Sequence, residues 1–214
     1  NEVVIFPPFT ALESVAEAID GRAMGYGAQD LCWEDEGAYT GAVSGSQIAD
    51  IGCEYVLVGH SERRTIFLES DEVIAKKIKA AYRNQLKPVL CVGETEEERK
   101  QGATNAKIVG QLASALEGIT EEQAKLLTVA YEPLWAIGTG NTATAKDAQD
   151  VCKFVRQQLE EIVGEEAARH IRILYGGSVK ETNAAQFATG GIDGVLVGGA
   201  SLKVDSFAKI VRSF

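Results

Sequence analysis

The sequence contains no long apolar run and little positive charge. None of its hydrophobic stretches approaches the roughly 20 residues that a membrane span needs, and its first residues lack the basic and apolar regions of a signal peptide. Lys and Arg number 21 against 31 for Asp and Glu, which gives a formal charge of −10. This balance argues against a general nucleic-acid or anionic-membrane surface. We therefore expect a cytoplasmic protein that binds neither nucleic acid nor membrane.

Cysteine is also scarce, and its spacing argues against two common uses of it. The four cysteines are far apart in the chain, and no two of them form a C-x-x-C pair. Each lies among apolar residues, which is typical of a reduced, buried thiol rather than of a disulfide framework or a zinc site. We therefore predict no metal site. With 45% hydrophobic and 24% charged residues, the composition is that of one globular domain over residues 1–214.

Short apolar runs alternate along the chain with longer segments of helical spacing. Such alternation predicts βα units around a parallel sheet, and thus an α/β fold. Apolar residues recur in the helical segments, as at Ile74, Ile78 and Ala81, so each helix should bury one face against the sheet. The longest predicted helix has Val155, Leu159 and Ile162 on that face. The predicted strands are residues 3–6, 24–28, 55–58, 88–92, 126–131, 171–174 and 195–197.

Three helix starts match the capping-box pattern, in which Thr95, Thr120 or Ser178 precedes a Glu or Gln by three residues.

A closed parallel barrel of βα units has eight strands, whereas the sequence offers seven. The first apolar run begins two residues into the chain, so we expect the absent unit upstream of Asn1. The predicted fold is a (β/α)8 barrel of which residues 1–214 contain strands 2–8 and their helices.

Glu132 follows an apolar run directly and precedes a glycine-spaced segment, Gly138-Thr139-Gly140. Parallel sheets carry their chemistry at the C-terminal ends of the strands, so Glu132 is placed as a general base. The segment after it could be a plain flexible loop, which is the commoner meaning of such a composition. Its position beside the base favours a lid that excludes water.

His60 follows another predicted strand and precedes polar residues that can open a helix. The positive end of a helix dipole there would favour the neutral imidazole, which can donate to a substrate oxygen. A lone histidine in such a place is more often a structural cap. The second strand-end group, Glu132, favours an acid–base pair. The other histidine, His170, lies in a polar stretch and should be solvated.

Glycine pairs follow the last two predicted strands, in residues 175–178 and 197–200. Each pair alone indicates only a tight turn. Two pairs in consecutive βα turns are typical of a barrel's phosphate site, because backbone N–H groups can approach an anion there.

Residues 37–41 form a small-residue loop around Tyr39, which suits a surface turn and insertion into a partner about equally.

Four segments together resemble the triosephosphate isomerase family in order, spacing and sequence. They are residues 59–64 (GHSERR), 131–140 (YEPLWAIGTG), 175–178 (YGGS) and 197–202 (VGGASL). The resemblance implies a TIM barrel and, in glycolysis and gluconeogenesis, the interconversion of dihydroxyacetone phosphate and D-glyceraldehyde 3-phosphate through an enediolate. It also implies that the reaction uses no metal or organic cofactor.

The resemblance assigns roles to individual residues. Glu132 matches the family's general base, and His60 matches the neutral electrophile that polarises the carbonyl, with Ser61 and Glu62 in supporting positions. Thr40, next to Tyr39, matches the loop residue that reaches into a neighbouring subunit, so the resemblance implies a homodimer. The lid positions are Pro133, Trp135, Ala136, Ile137, Thr139 and Gly140, and the phosphate-binding positions are Gly138, Ser178, Gly198 and Gly199.

The sequence departs from the family at several places. The family's first strand ends in an Asn-x-Lys motif, and no predicted strand of this chain ends in one. Because that lysine is the family site's main fixed positive charge, we expect weak turnover from residues 1–214 alone. Ala42 stands where the family usually has an acid, Gln47 where it often has methionine, and Leu68 where it usually has glycine. If that glycine has φ > 0, Leu68 demands a backbone change or a changed local packing.

Two other functions compete with this one. Another phosphate-binding barrel isomerase or epimerase would share the glycine turns but carry a different base on a different strand. An inactive fragment or scaffold of the isomerase would bind phosphate or a partner chain without turnover. The match around both His60 and Glu132 weighs against the first alternative, and an upstream Asn-x-Lys strand would exclude the second.

Overall fold

The computed structural model describes residues 1–137 and 142–214. Within those residues, seven parallel strands form one curled half-barrel sheet in chain order, each strand pairing with the next. The strands are β1 (Val4–Ile5), β2 (Gly25–Ala28), β3 (Tyr55–Val58), β4 (Lys87–Val92), β5 (Thr128–Tyr131), β6 (Arg172–Tyr175) and β7 (Gly194–Val195). The predicted α/β fold is confirmed, and each predicted strand end lies within two residues of the observed one.

Helices connect the strands on one side of the sheet. In the described residues they are α1 (Leu12–Ile19), α2 (Gly45–Asp50), α3 (Ser61–Thr65), α4 (Asp71–Arg83), α5 (Glu96–Lys100), α6 (Thr104–Leu116), α7 (Glu121–Ala124), α8 (Ala145–Val163), α9 (Glu165–His170) and α10 (Val204–Val211). None of these helices is both long enough and apolar enough to cross a bilayer.

The sequence of β3 is continuously apolar, and its side chains pack into two clusters on opposite faces of the sheet. Val56 and Val58 belong to the large core between the sheet and the helices. Tyr55 and Leu57 belong to a smaller cluster on the opposite face, where they meet residues of β4 and β5. Successive side chains of a strand point to opposite faces, so both faces of this strand are buried. The continuous run therefore marks the centre of the sheet.

Capping explains where several helices begin. Thr95 and Thr120 each accept the N–H of the residue three positions on, and each completes a capping box, as predicted. The prediction at Ser178 was wrong, because no helix starts there. Asn183 instead accepts the N–H of Lys180 and donates to the Ser178 carbonyl, which leaves only a short 3-10 turn at Ala184–Phe187. The Glu181 carboxylate accepts from Ser206 in α10 instead of capping its own segment.

The buried face of α8 ends one residue later than its apolar spacing predicts. Val155 and Leu159 are buried as predicted, but Ile162 is 36% exposed and Val163 is buried in its place. Residues 155, 159 and 163 follow one another at intervals of four, which keeps them on one side of a helix. The stripe therefore continues to Val163, the last residue of α8.

Candidate active site

The C-terminal ends of the parallel strands lie at one edge of the sheet, and they bring the two predicted catalytic residues together. Glu132 directly follows β5, and His60 follows β3 after a single glycine. The His60 Nε2 atom lies 3.0 Å from Glu132 Oε1. The side chain of Glu132 is 3% exposed and that of His60 is 25% exposed. The site therefore presents one buried carboxylate and one imidazole that solvent can reach.

The second carboxylate oxygen of Glu132 also has a partner. Oε2 accepts the backbone N–H of Ser61, the first residue of α3, at 2.9 Å. The backbone N–H of Glu132 donates to Val92 O at 2.8 Å, which extends the pairing between β4 and β5 beyond the last strand residue. Ser61 therefore lies beside the base, and it contributes its backbone to the contact.

His60 is oriented through its other ring nitrogen. Nδ1 accepts the backbone N–H of Glu62 at 3.3 Å, so in the neutral ring the proton is on Nε2 and points to Glu132. The Glu62 carboxylate lies 3.8 Å from Nδ1 and is largely exposed. This arrangement holds the imidazole by both nitrogens.

The electrostatics of His60 differ from the expectation of a ring held neutral by a helix end. Burial disfavours the charged imidazole, but the hydrogen bond and charge of Glu132, with the charge of Glu62, outweigh it. The pKa of His60 therefore lies above its ordinary value in this conformation. In this conformation a carboxylate at 3.0 Å acts more strongly on the ring than the partial charges at the start of α3, which has five residues.

The turn after β6 lies against the base. A Cβ added at Gly176 would lie 2.9 Å from Glu132 Cγ, and one at Gly177 would lie 2.1 Å from the Tyr175 hydroxyl. The backbone N–H of Gly176 donates to Tyr131 O. Glycine is required at position 176 by the close approach of the turn to Glu132, and at position 177 by the Tyr175 hydroxyl, neither of which the expectation of a phosphate turn foresaw.

The turn after β7 lies at the same edge of the sheet. A Cβ at Gly198 or Gly199 would meet no atom within 4 Å, so these residues face open space. Ser178, in the neighbouring turn, is half-buried. Gly138, the fourth predicted phosphate-binding residue, lies outside the described residues, as do Thr139 and Gly140 of the predicted lid.

The described part of the predicted lid is anchored to a buried carboxylate. Leu134–Ala136 forms a 3-10 turn, with Pro133 before it and Ile137 after it. Trp135 Nε1 donates to Glu94 Oε1 at 2.9 Å, and the backbone N–H of Leu134 donates to Glu94 O at 3.1 Å. Ala136 is buried. The segment that follows the base is therefore fixed at its start.

Glu94 is a buried residue beside the predicted lid that the sequence analysis does not identify, because acidic residues such as those at 94–98 usually mark a solvated helix start. Glu94 is 0% exposed, and its Oε1 also accepts a hydrogen bond from the Tyr131 hydroxyl at 3.1 Å. Burial raises the pKa of Glu94 despite these hydrogen bonds. Arg99 stacks over the Trp135 ring, 4.1 Å from its centroid. The available signal was position, since Glu94 follows β4 as Glu132 follows β5.

The predicted subunit loop lies on the surface. Tyr39 and Thr40 are exposed, and the Tyr39 ring packs edge-on against Trp33 with 5.8 Å between centroids. Leu68 has φ +57° and is 80% exposed, so this leucine adopts a left-handed backbone with its side chain in solvent. Ala42 is exposed, and Gln47 completes the capping box of α2.

In residues 1–137 and 142–214, no group of three or more His, Cys, Asp or Glu side chains is placed so that it could bind a metal ion. All four cysteines are buried and unpaired. The tripeptide Asn105-Ala106-Lys107 has the Asn-x-Lys spelling, but it lies within α6, where Lys107 pairs with Glu98. It is therefore not the strand-end motif.

Comparison with known proteins agrees with this geometry. The family model described as triosephosphate isomerase matches residues 1–214. The triosephosphate isomerase of Moorella thermoacetica is 56% identical over 99% of this chain and 85% of its own length, and that of Carboxydothermus hydrogenoformans is 54% identical over 99% and 84%. That of Cutibacterium acnes is 50% identical over 100% and 84%. These matches cover nearly the whole chain, and two of its strands end at a glutamate and a histidine that lie in contact. The chain therefore belongs to the triosephosphate isomerase family.

Proposed function

We propose that Glu132 is the general base and His60 the proton donor in the interconversion of dihydroxyacetone phosphate and D-glyceraldehyde 3-phosphate. The observation that carries this assignment is the 3.0 Å contact between His60 Nε2 and Glu132 Oε1 at the ends of β3 and β5. Isomerisation needs one group to move a proton between adjacent carbons and another to polarise the carbonyl. A buried carboxylate beside a singly protonated imidazole supplies both.

In the absence of substrate, the two groups satisfy each other. The Nε2 proton of His60 points to Glu132, and Glu132 also accepts from Ser61. Substrate takes over the first contact, because its carbonyl oxygen accepts the Nε2 proton while the carboxylate turns to the neighbouring carbon. Once Glu132 leaves the ring, the main cause of the raised pKa of His60 is gone. The loss of that contact lowers the pKa of His60 and favours the neutral imidazole, which is the form that donates its Nε2 proton.

The phosphate group is received by the turns after β6 and β7, through Ser178, Gly198 and Gly199. Both turns lie at the same edge as the catalytic pair, and the open space around Gly198 and Gly199 leaves their backbone accessible to an anion. Gly138 joins them in this proposal. The segment that starts at Pro133 is the lid, hinged where Trp135 meets Glu94.

The working unit is a homodimer in this proposal. Ile66, Phe67 and Leu68 form an exposed apolar segment directly after α3, the helix that holds the base. Tyr39 and Thr40 belong to the family's subunit loop. Surface apolar side chains in such a run favour association with a second copy of the chain. Sedimentation equilibrium measures the association directly, and a monomer at micromolar concentration would contradict it.

A cytoplasmic location is supported by the four free thiols, since reducing compartments keep cysteines unpaired.

The catalytic assignment is tested with Glu132→Asp, which shortens the base by one methylene. We expect turnover to fall about 10²-fold or more, because the carboxylate no longer reaches the substrate carbon. A coupled assay with glyceraldehyde 3-phosphate measures kcat, and circular dichroism checks the fold. Unchanged turnover would show that Glu132 is not the base.

A further inference from the structure

Arg64, in α3, binds the carbonyl groups at the ends of two strands. Its Nε donates to Gly59 O at 2.8 Å, and its Nη2 donates to Cys91 O at 3.0 Å. Gly59 immediately precedes His60 in the chain. Cys91 lies in β4, between the strands that lead to His60 and to Glu132. One guanidinium group therefore connects the chain just before His60 with the strand that lies between His60 and Glu132.

These bonds begin where the pairing of β3 with β4 ends. The last paired residues are Val58 and Leu90, and the guanidinium links the next residue of each strand. Gly59 turns away from the strand with φ +71°. The planar fork of arginine offers donors at fixed angles, which lysine cannot reproduce. Arg64 therefore sets the direction in which the chain leaves β3 toward His60.

The contact on the β4 side leads to Glu132. Cys91 is buried, and burial together with the nearby Glu132 carboxylate raises the pKa of its thiol well above the ordinary value. Cys91 also pairs with Ala130 of β5, two residues before Glu132. A displacement of the Cys91 backbone would therefore be transmitted to the base.

The Arg64 side chain is itself held in place. Its Nη1 donates to Asp71 Oδ1 at 2.6 Å, and the side chain is 11% exposed. Asp71 is the first residue of α4, so the pair also joins two helices. With all three nitrogens bound, the guanidinium has one orientation.

We propose that Arg64 is a positioning residue, which fixes the separation of His60 and Glu132 by holding the carbonyls of Gly59 and Cys91. The proposal rests on the catalytic roles given under Proposed function. Arg64 acts through the two catalytic residues and takes no part in proton transfer.

The test is Arg64→Lys, which keeps the charge and removes the fork. We expect kcat to fall roughly 10-fold to 100-fold while KM changes less than about threefold, because the loss is in the alignment of the reacting groups. The second readout is the titration of His60, followed by NMR of its ring nitrogens. Weaker contact with Glu132 should lower the titration midpoint, while the other charges facing the ring, Glu62 and Arg63, are unchanged.

Arg156→Lys is the matched control. Arg156 also binds two backbone carbonyls, those of Ala168 and Ile171, and one carboxylate, that of Asp193. These residues lie before β6 and before β7, at the edge of the sheet opposite the site. This variant should lower the unfolding temperature without changing kcat or the His60 midpoint.

An Arg64→Lys protein with unchanged kcat and an unchanged His60 midpoint would overturn the proposal. If that variant fails to fold, Asp71→Asn keeps the guanidinium and loosens its orientation. It should lower both kcat and the His60 midpoint, by less than Arg64→Lys, and an Asp71→Asn protein with both values unchanged would refute the idea equally. Unchanged turnover in Glu132→Asp would contradict the catalytic roles instead, and the His60 midpoint would still decide the role of Arg64.

Discussion

Replacing Gly176 by alanine should disable the base without touching it chemically. The added Cβ would lie 2.9 Å from Glu132 Cγ, whereas carbon atoms in contact are usually about 3.5–4.0 Å apart. Gly176 is outside the left-handed region, so alanine meets no backbone strain there. The substitution is therefore a steric push of roughly 0.5–1 Å on the Glu132 side chain.

The size of the expected effect follows from what surrounds Glu132. Its two oxygens are held by His60 and Ser61, so the displaced carboxylate must lose or stretch one of these contacts. Misplacing a reacting group by about 1 Å lowers kcat about 10²-fold. Overpacking in a buried place costs about 1–3 kcal/mol of unfolding free energy. We expect both losses in Gly176→Ala.

The coupled isomerase assay gives kcat and KM, and urea unfolding followed by circular dichroism gives stability. Gly110→Ala is the control, because Gly110 lies inside α6 with no atom within 4 Å of an added Cβ. It should raise stability by about 0.5–1 kcal/mol and leave kcat unchanged. If Gly176→Ala lowers stability but keeps wild-type kcat, the turn after β6 does not position the base.

Three further predictions concern the surroundings of the site. Trp135→Phe removes the donor to Glu94 Oε1 and should cost about 1–2 kcal/mol in urea unfolding; an unchanged midpoint would contradict the anchoring of the lid segment. Leu68→Gly relieves a left-handed backbone and should stabilise the monomer by about 1 kcal/mol, whereas a destabilised monomer would mean that the leucine packs usefully. The raised pKa of His60 stabilises the fold below the unfolded value of 6.5, and this contribution is lost as pH rises through the higher folded value. The stability difference between wild type and His60→Asn should therefore shrink from pH 6 to pH 8, and a constant difference would refute the charge interaction.

The placement of His60 beside Glu132 could be predicted from the sequence because it depends on local patterns. An apolar run predicts a buried strand, and a polar side chain one or two residues after it lies at the edge of a parallel sheet where active sites occur. Both His60 and Glu132 follow this rule. Glu94 follows it too, but its acidic neighbours suggested a solvated helix start, and only the fold shows Trp135 and Tyr131 beside it.

Other features depend on contacts between distant parts of the chain. Lys77 is buried because Asp30 and Glu69 converge on its ammonium group, a grouping that no local spacing indicates. The capping pattern at Ser178 was correct in composition, yet Asn183 binds the Lys180 N–H and the Ser178 carbonyl, and no helix starts there. The raised pKa of His60 likewise requires the distance to Glu132, which only the folded chain provides.

The strict chain order of the sheet has a consequence for folding. Each strand pairs with the next one along the sequence, so every pairing closes a loop of modest length and costs little chain entropy. His60 and Glu132 are separated by only one intervening strand, β4, which bridges them through Cys91. The section from β3 to β5 can therefore assemble as a local nucleus before the two edges of the sheet are in place. In such an order of events the candidate site around His60 and Glu132 is among the first parts of the molecule to form, and the outer strands are added afterwards.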